Sequence, residues 1–154
     1  MGGEVGQEGR VAGTRGRRRV ARQTGTSAVF AEVEVEVGAS NATAGISFES
    51  GASSSDGHPL PELWRASIES GCAAALEFLG RSSAVTVTDV RATNTDTSPK
   101  ALALAASLAV LECVRPGVAP NVGAAALDWA SVYGEASPAV AELLEVLAGL
   151  GLRR

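Results

Sequence analysis

The sequence VFAEVEVEV, residues 29–37, is the clearest structural signal in this chain of 154 residues. From Ala31 onward, apolar residues alternate with glutamates, so the apolar side chains fall on one face of a strand and the glutamates on the other. The pattern predicts a strand with one buried face and one solvent-exposed face. The exposed face carries Glu32, Glu34 and Glu36.

The sequence downstream of this strand alternates between strand and helix patterns. Residues 46–48 predict a short strand after a turn. Residues 60–79 place apolar side chains three or four positions apart, which is typical of one stripe of a helix. Residues 85–90 are rich in valine and threonine and predict a further strand.

The C-terminal half is predicted to be helical. Ser98 and Pro99 are a favourable helix start, because serine caps free amides and proline fits the first turn. Residues 101–110 are apolar on every side, which predicts a buried helix across the sheet. Helices are also expected over 122–133 and 138–150, the second opened by Ser137-Pro138. The fold class is therefore α+β, with helices packed on one face of a small sheet.

Composition excludes several classes of protein. Hydrophobic residues make up 45% of the chain and aromatic residues only 4%, which predicts one domain with a core of small side chains. Arg, Asp or Glu interrupts every long apolar run, so no membrane span is expected. No secretory signal is visible and there are two cysteines, so we expect a cytoplasmic protein. The only lysine, Lys100, does not fit a phosphate-binding loop.

Charge is distributed unevenly along the chain, whose net charge is -4. Residues 1–22 contain six arginines and two glutamates, a net charge of +4, whereas the remainder is acidic. Residues 1–16 have few large apolar side chains, which favours disorder. A flexible arginine-rich tail can follow a nucleic-acid backbone through bidentate contacts with phosphates. A solvated basic tail without a target is the alternative interpretation.

The residues that invite a catalytic or metal-binding role have simpler explanations. His58 has no Cys, His or carboxylate at metal-ligand spacing apart from Asp56. Cys72 and Cys113 lie in apolar helical stretches, where a thiol serves as a small hydrophobe. Asp96 precedes a helix start, where a carboxylate is stabilised by the helix dipole. We therefore predict no enzymatic activity, no cofactor and no metal site.

Three blocks of sequence resemble the fourth domain of translation elongation factor G. The first is RQTG, residues 22–25, followed by an aromatic residue and a valine-rich strand over 30–37. The second is the helix that starts at a proline and reaches a glycine ten positions later, residues 61–71. The third, residues 95–98 with 101–109, is similar to the family's Val-Asp-Ser-Ser and Ala-Phe-x-Ile-Ala-x-Ser-Met-Ala.

The resemblance covers residues 22–113 and implies both a fold and a context. The implied fold is that of the second domain of small-subunit ribosomal protein five, a four-stranded sheet with two helices against one face. The implied context is the ribosome, because the family's domain reaches into the decoding site. This chain shortens the family's tip at residues 91–96 and lacks its histidine there, and we expect it to have no GTPase activity of its own.

These observations lead to a division of the chain and a functional hypothesis. Residues 1–19 are predicted to be a disordered tail, 20–115 the α+β domain, and 116–154 a helical extension. The hypothesis is a non-catalytic, translation-related protein that binds ribosomal RNA or another RNA. The alternatives are a protein-interaction or regulatory module that uses the C-terminal helices or the acidic sheet face, and a decayed gene fragment without function. The predicted RNA-binding residues are Arg15, Arg17, Arg18, Arg19, Arg22, Asn94 and Thr95.

Overall fold

The computed structural model describes residues 14–24, 27–39, 45–49, 60–93, 96–117, 122–132, 134 and 136–152. Four strands and four helices are formed within these ranges. The strands are β1 (Thr14–Thr24), β2 (Ser27–Val37), β3 (Gly45–Phe48) and β4 (Ala84–Arg91). The helices are α1 (Glu62–Leu79), α2 (Pro99–Val114), α3 (Ala124–Ser131) and α4 (Val140–Gly149).

The four strands form one mixed sheet in the order β1-β2-β4-β3. Strands β1 and β2 form an antiparallel hairpin that pairs from Thr14 opposite Val37 to Thr24 opposite Ser27. Strand β4 is antiparallel to β2 and parallel to β3. The α+β class predicted from the sequence, with helices on one face of a small sheet, is confirmed.

The prediction of disorder is wrong for residues 14–19. These residues form more than half of β1, and the buried positions Gly16 and Val20 attach the strand to the helices. The sequence reasoning counted large apolar side chains, but a strand on the edge of a sheet needs only alternate small residues on its inner face. Residues 1–13 lie outside the described part of the chain.

Helix α2 runs through the centre of the molecule, as its uniformly apolar sequence predicts. Every residue from 101 to 110 is buried. The Ser98 hydroxyl caps the helix by accepting a hydrogen bond from the Ala101 backbone N–H at 3.0 Å, and Pro99 occupies the first turn. The same hydroxyl donates to the Ala130 carbonyl at 2.6 Å, so the cap also holds the end of α3.

Helices α1 and α2 cross in backbone contact at Gly71. A Cβ atom at this position would overlap the carbonyl oxygen of Ala103. The buried hydroxyl of Ser107 donates to the Gly71 carbonyl at 2.6 Å and satisfies it away from water. Gly16 of β1 approaches Ala109 of α2 in the same way. Small residues therefore set the thickness of the core.

Helices α3 and α4 belong to the same core. Ala130 of α3 is fully buried, as are Leu143 and Leu147 of α4. The predicted start of α4 at Ser137-Pro138 is wrong, because Ala139 remains extended and caps the helix without a side-chain hydrogen bond. Within the described residues, no helix is both long and apolar enough to cross a bilayer.

Candidate functional site

The alternation of strand β1 divides the five predicted RNA-binding arginines between the two faces of the sheet. Positions 16, 18, 20 and 22 face the helices, and the side chains at 15, 17 and 19 face the opposite side, which we call the open face. The inner set contains Arg18 and Arg22, and the outer set contains Arg15, Arg17 and Arg19. The structure therefore does not bring all five arginines together into a single cluster.

The two inner arginines bind acidic residues of the helices. Arg22 Nη1 lies 2.6 Å from Asp128 Oδ1 of α3, and its Nη2 donates to Ser131 at 3.3 Å. The Arg22 Nε atom is buried and has no hydrogen-bond partner among the described residues. Arg18 Nη1 lies 3.5 Å from Glu112 of α2. These contacts attach the edge strand to α2 and α3, which is a structural role.

Arg17 is the centre of an ion-pair network on the open face. Its guanidinium donates to Glu32 and Asp89 at 2.8 Å each and approaches Glu34 at 3.5 Å. The hydrogen bonds to Glu32 and Asp89 raise the pKa of Arg17 further above its ordinary value. Partial burial alone would raise the pKa of Asp89, but the hydrogen bond and charge of Arg17, with the nearby charge of Arg91, lower it below its usual value. Arg17 therefore joins three strands.

Arg15 and Arg19 remain exposed at the surface of the open face. Their side chains are 58% and 63% exposed. Arg15 approaches Glu34 at 3.7 Å and Arg19 approaches Glu32 at 3.5 Å. Exposed ion pairs of this length contribute little to stability. These two arginines can therefore exchange their carboxylate partners for a phosphate at low cost.

Arg91 is a third exposed arginine on this face, and the sequence reasoning missed it. Glu32 pairs with Arg19 on one side and with Arg91 on the other, so the three residues form a row across β1, β2 and β4. The Arg91 side chain is 62% exposed, whereas that of Glu32 is only 11% exposed. The two arginine side chains are therefore more exposed than the carboxylate between them, and the row presents positive charge to solvent. The position of Arg91 two residues after Asp89 was the available signal.

A concavity of about 470 Å³ lies beside this row, at the hairpin end of the sheet. Phe30 is among its lining residues, as is Arg22, the inner arginine already paired with Asp128. The remaining lining residues are Ala21, Ala28, Val29, Thr93 and Asp96. Asn94 and Thr95, the predicted tip residues, lie outside the described residues, but their neighbours Thr93 and Asp96 line the concavity. The structure therefore brings Thr93, Asp96 and β1 to the same end of the molecule.

Hydrogen bonds fix Phe30 at this concavity. The Phe30 N–H donates to the Asp96 carbonyl at 2.9 Å, and the Thr97 hydroxyl donates to the Phe30 carbonyl at 2.6 Å. The Thr93 N–H donates to the Thr97 hydroxyl at 2.8 Å, and the Asp96 N–H donates to the Thr93 hydroxyl at 3.0 Å. The connection from β4 to α2 is thus tied to β2, and the aromatic ring has a rigid backbone support.

A second concavity, of about 390 Å³, lies between α3 and α4. Ala126, Trp129, Val146 and Leu150 give it an apolar lining. The Trp129 indole N–H donates to Glu142 at 2.7 Å and the Lys100 ammonium lies 5.2 Å from the ring centre, so the ring is held from two sides. This apolar groove lies on the part of the chain for which the alternative hypothesis predicts a protein partner.

Cys72 is unsuited to nucleophilic chemistry. Its side chain is fully buried, and burial, with a smaller contribution from Glu69, raises the pKa of its thiol to about 12. The thiol therefore stays protonated at neutral pH, whereas a nucleophile needs the thiolate. Cys113 is also buried, so packing accounts for both cysteines as expected. His58 lies outside the described residues.

Comparison with known structures supports the fold and does not identify an activity. A crystal structure of a protein from Thermus thermophilus matches 66% of this chain at a TM-score of 0.50 and 23% sequence identity. A homoserine kinase from Cytophaga hutchinsonii matches 69% of this chain at a TM-score of 0.47 and 16% identity, a score too low to establish a shared fold. The matched regions are 15% of the Thermus chain and 36% of the kinase. No protein-family model and no curated protein matches this chain.

The structure also explains the residues in the quoted sequence blocks. Gly71 permits the close crossing of α1 and α2, Ser107 binds its carbonyl, and Ser98 caps α2. Each of these residues shapes the core and none lies on the open face. The resemblance in these blocks therefore reflects how the core is packed. Evidence for binding must come from the open face and the hairpin end.

Proposed function

We propose that this chain is a non-catalytic, translation-related protein that binds RNA, on a fold like that of the fourth domain of elongation factor G. RNA, in the ribosome or elsewhere, binds the open face of the sheet beside the hairpin end. The RNA-binding element in this proposal is an ordered strand surface and not the flexible basic tail expected from the sequence. Arg15, Arg19 and Arg91 make the phosphate contacts, and Arg17 holds the strands that carry them.

The observation that supports this proposal is the layering of charge on the open face. The three arginine side chains are 58%, 63% and 62% exposed, whereas their partners Glu32, Glu34 and Asp89 are 11%, 20% and 30% exposed. Solvent therefore meets guanidinium groups first, although the formal charges on the face nearly cancel. Exposed guanidinium groups on a rigid strand are suited to bidentate phosphate contacts.

The experiment measures binding of the full chain to a 12-nucleotide single-stranded RNA by fluorescence anisotropy, over a salt series. The test variant is R15Q/R19Q, and the matched control is R65Q/R115Q, which removes the same charge on the helical side. We expect the test variant to bind more weakly and the slope of log affinity against log salt to fall by about 1.4, the loss of two single-strand phosphate contacts. The control should retain the wild-type slope.

Co-sedimentation with small ribosomal subunits then addresses the translational context. We expect the wild type to sediment with subunits at low salt and R15Q/R19Q to do so less. Absence of binding to both RNA and subunits at low salt contradicts the proposal. If the test and control variants bind RNA equally well, the open face is not the binding surface.

A second candidate function is supported by the apolar groove between α3 and α4. A protein partner seated against Trp129 would bury apolar surface, and its affinity would depend far less on salt than RNA binding does. Trp129→Ala would abolish such binding and leave the RNA slope unchanged. Binding of RNA with a steep salt dependence favours the first candidate.

A further inference from the structure

We infer that the concavity at the hairpin end binds one unpaired nucleobase of the RNA strand, which stacks on Phe30. This inference rests on the proposed RNA binding and names the part of the RNA that this site contacts. The phosphates on either side of the base lie over Arg19 and Arg91. Sequence reasoning offered no sign of such a site, because residues 1–22 contain no aromatic residue.

The position of Phe30 is the first observation that supports the stacking site. Phe30 shares the open face with Glu32 because the two residues are two positions apart on β2. The residue is partly buried and lines the concavity, and its backbone N–H and carbonyl are both held by hydrogen bonds with the Asp96–Thr97 segment. A ring on such a support loses little freedom when a base stacks on it. Aromatic side chains bind single-stranded nucleic acid in this way without strong sequence preference.

The distribution of charge carries the second step. The concavity contains the acidic residue Asp96, and the charge of Arg22 is neutralised there by Asp128 at 2.6 Å. A phosphate would be repelled from this interior, whereas an uncharged base would not. Arg19 and Arg91 lie two positions away along the chain, about 7 Å from Ala21 and Thr93 at the edge of the concavity. The site therefore separates a place for the base from places for its phosphates.

The volume agrees with this assignment. At about 470 Å³, the concavity is within the range of small-molecule sites, which are generally mostly apolar with a few polar groups. Ala21 and Ala28 keep it open, because neither side chain extends beyond Cβ. A larger side chain at the exposed Ala21 would fill the concavity without changing the core.

The experiment follows a 12-nucleotide oligouridylate that contains one 2-aminopurine, whose fluorescence is quenched when it stacks. Anisotropy of an end label reports binding independently of stacking. We expect the wild type and Phe30→Tyr to bind and to quench the 2-aminopurine. Phe30→Leu, which keeps the bulk but not the ring, should lose the quench and about tenfold in affinity. Phe48→Leu, the same substitution on β3, is the matched control and should behave as the wild type.

A second variant keeps the test independent of Phe30's contribution to folding. Ala21→Ile adds bulk at an exposed strand position and should also abolish the quench while melting as the wild type does. Binding with an undiminished quench in both Phe30→Leu and Ala21→Ile overturns the stacking site and leaves the RNA-binding proposal standing. Absence of any anisotropy change with wild-type protein at low salt instead overturns the RNA-binding proposal, and the stacking site with it.

Discussion

The two faces of the sheet are built from different materials. The inner face packs the valines of β2 against α2, with Gly16 of β1 in close contact with the same helix, and Gly71 lies where α1 crosses α2. The open face consists of arginines and carboxylates joined by ion pairs from 2.8 to 3.7 Å. Packing energy is local and sensitive to a single methyl group, whereas exposed ion pairs are adaptable and contribute little each. Stability is therefore concentrated on the inner face, and the open face is available for binding.

Strand β1 belongs to both regions, because its arginines alternate between them. Arg18 and Arg22 point to the helices, and Arg15 and Arg19 point to solvent. The same residue type thus has two roles, set by position in the pleat. If this division is correct, substitutions on the two faces should differ in stability effect by several-fold.

The largest effect is expected at the crossing of α1 and α2. Gly71→Ala places a Cβ against the Ala103 carbonyl, which neither backbone can avoid without moving. We expect the free energy of unfolding to fall by about 3 kcal/mol, the upper end of overpacking costs. Urea denaturation followed by circular dichroism measures it.

Gly149→Ala is the control for this substitution. Gly149 is also a helical glycine, but its Cβ would meet no atom within 4 Å among the described residues. It should stabilise α4 slightly, by about 0.5 kcal/mol. Equal effects of the two alanines would show that α1 and α2 are not in backbone contact.

The next effect is expected where β1 contacts α3. Asp128→Asn removes the carboxylate that binds Arg22 at 2.6 Å and leaves a largely buried guanidinium without its counter-charge. We expect a loss of about 1 kcal/mol, the upper end for an ion pair with one exposed partner, since the Asp128 side chain is 70% exposed. Differential scanning calorimetry of the variant measures the change.

Glu145→Gln, at an exposed position of α4, supplies the matched loss of one negative charge. It should melt within a degree or two of the wild type. If Asp128→Asn melts at the same temperature as Glu145→Gln, the contact between Arg22 and Asp128 does not hold α3. The inner arginines of β1 would then have no structural role that the outer ones lack.

Much of the fold follows from the sequence because each signal is local. The valine-glutamate alternation of β2, the Ser98 cap and the apolar length of α2 each determine structure without reference to distant residues. Strand β1 could not be found this way. Its stability comes from β2 and α2, and a stretch rich in glycine and arginine shows no local sign of them.

The candidate site was predicted less well, for the same reason. The sequence identifies the arginines, but their sorting depends on the β1–β2 register and on Glu112 and Asp128, which lie about a hundred residues away. Phe30 becomes a neighbour of Arg91 and the tip only when β2 pairs with β4. The sequence signal that could have found them is that residues two positions apart on a strand share a face. Phe30 lies two positions before Glu32, and Arg91 lies two positions after Asp89.

A smaller effect, dependent on pH, is expected within the network on the open face. The lowered pKa of Asp89 in the folded state means that its ionised form stabilises the protein at neutral pH. This contribution is present above the unfolded pKa, about 3.9, and is lost as the pH falls through the lower folded value. Asp89→Asn should therefore cost about 0.5 kcal/mol at pH 7, the magnitude of an exposed ion pair.

A pH series tests the direction of this effect. The difference in unfolding free energy between wild type and Asp89→Asn should shrink as the pH is lowered from 5 to about 2, because the wild type loses the same charge. Urea titrations of both proteins at each pH measure the difference. A gap that stays constant or widens in acid would mean that Arg17 does not stabilise the ionised carboxylate.

The smallest effect on stability is expected for R15Q/R19Q on the open face. Both side chains are more than half exposed, and their ion pairs are 3.7 and 3.5 Å long, so the double variant should unfold within about 0.5 kcal/mol of the wild type. Urea denaturation and the RNA titration measure the stability and the RNA affinity of the same variant. A variant that keeps its stability and loses RNA affinity assigns these arginines to binding. A loss of stability similar to that of Asp128→Asn would instead place them with Arg22, as part of the structure that holds β1 in the sheet.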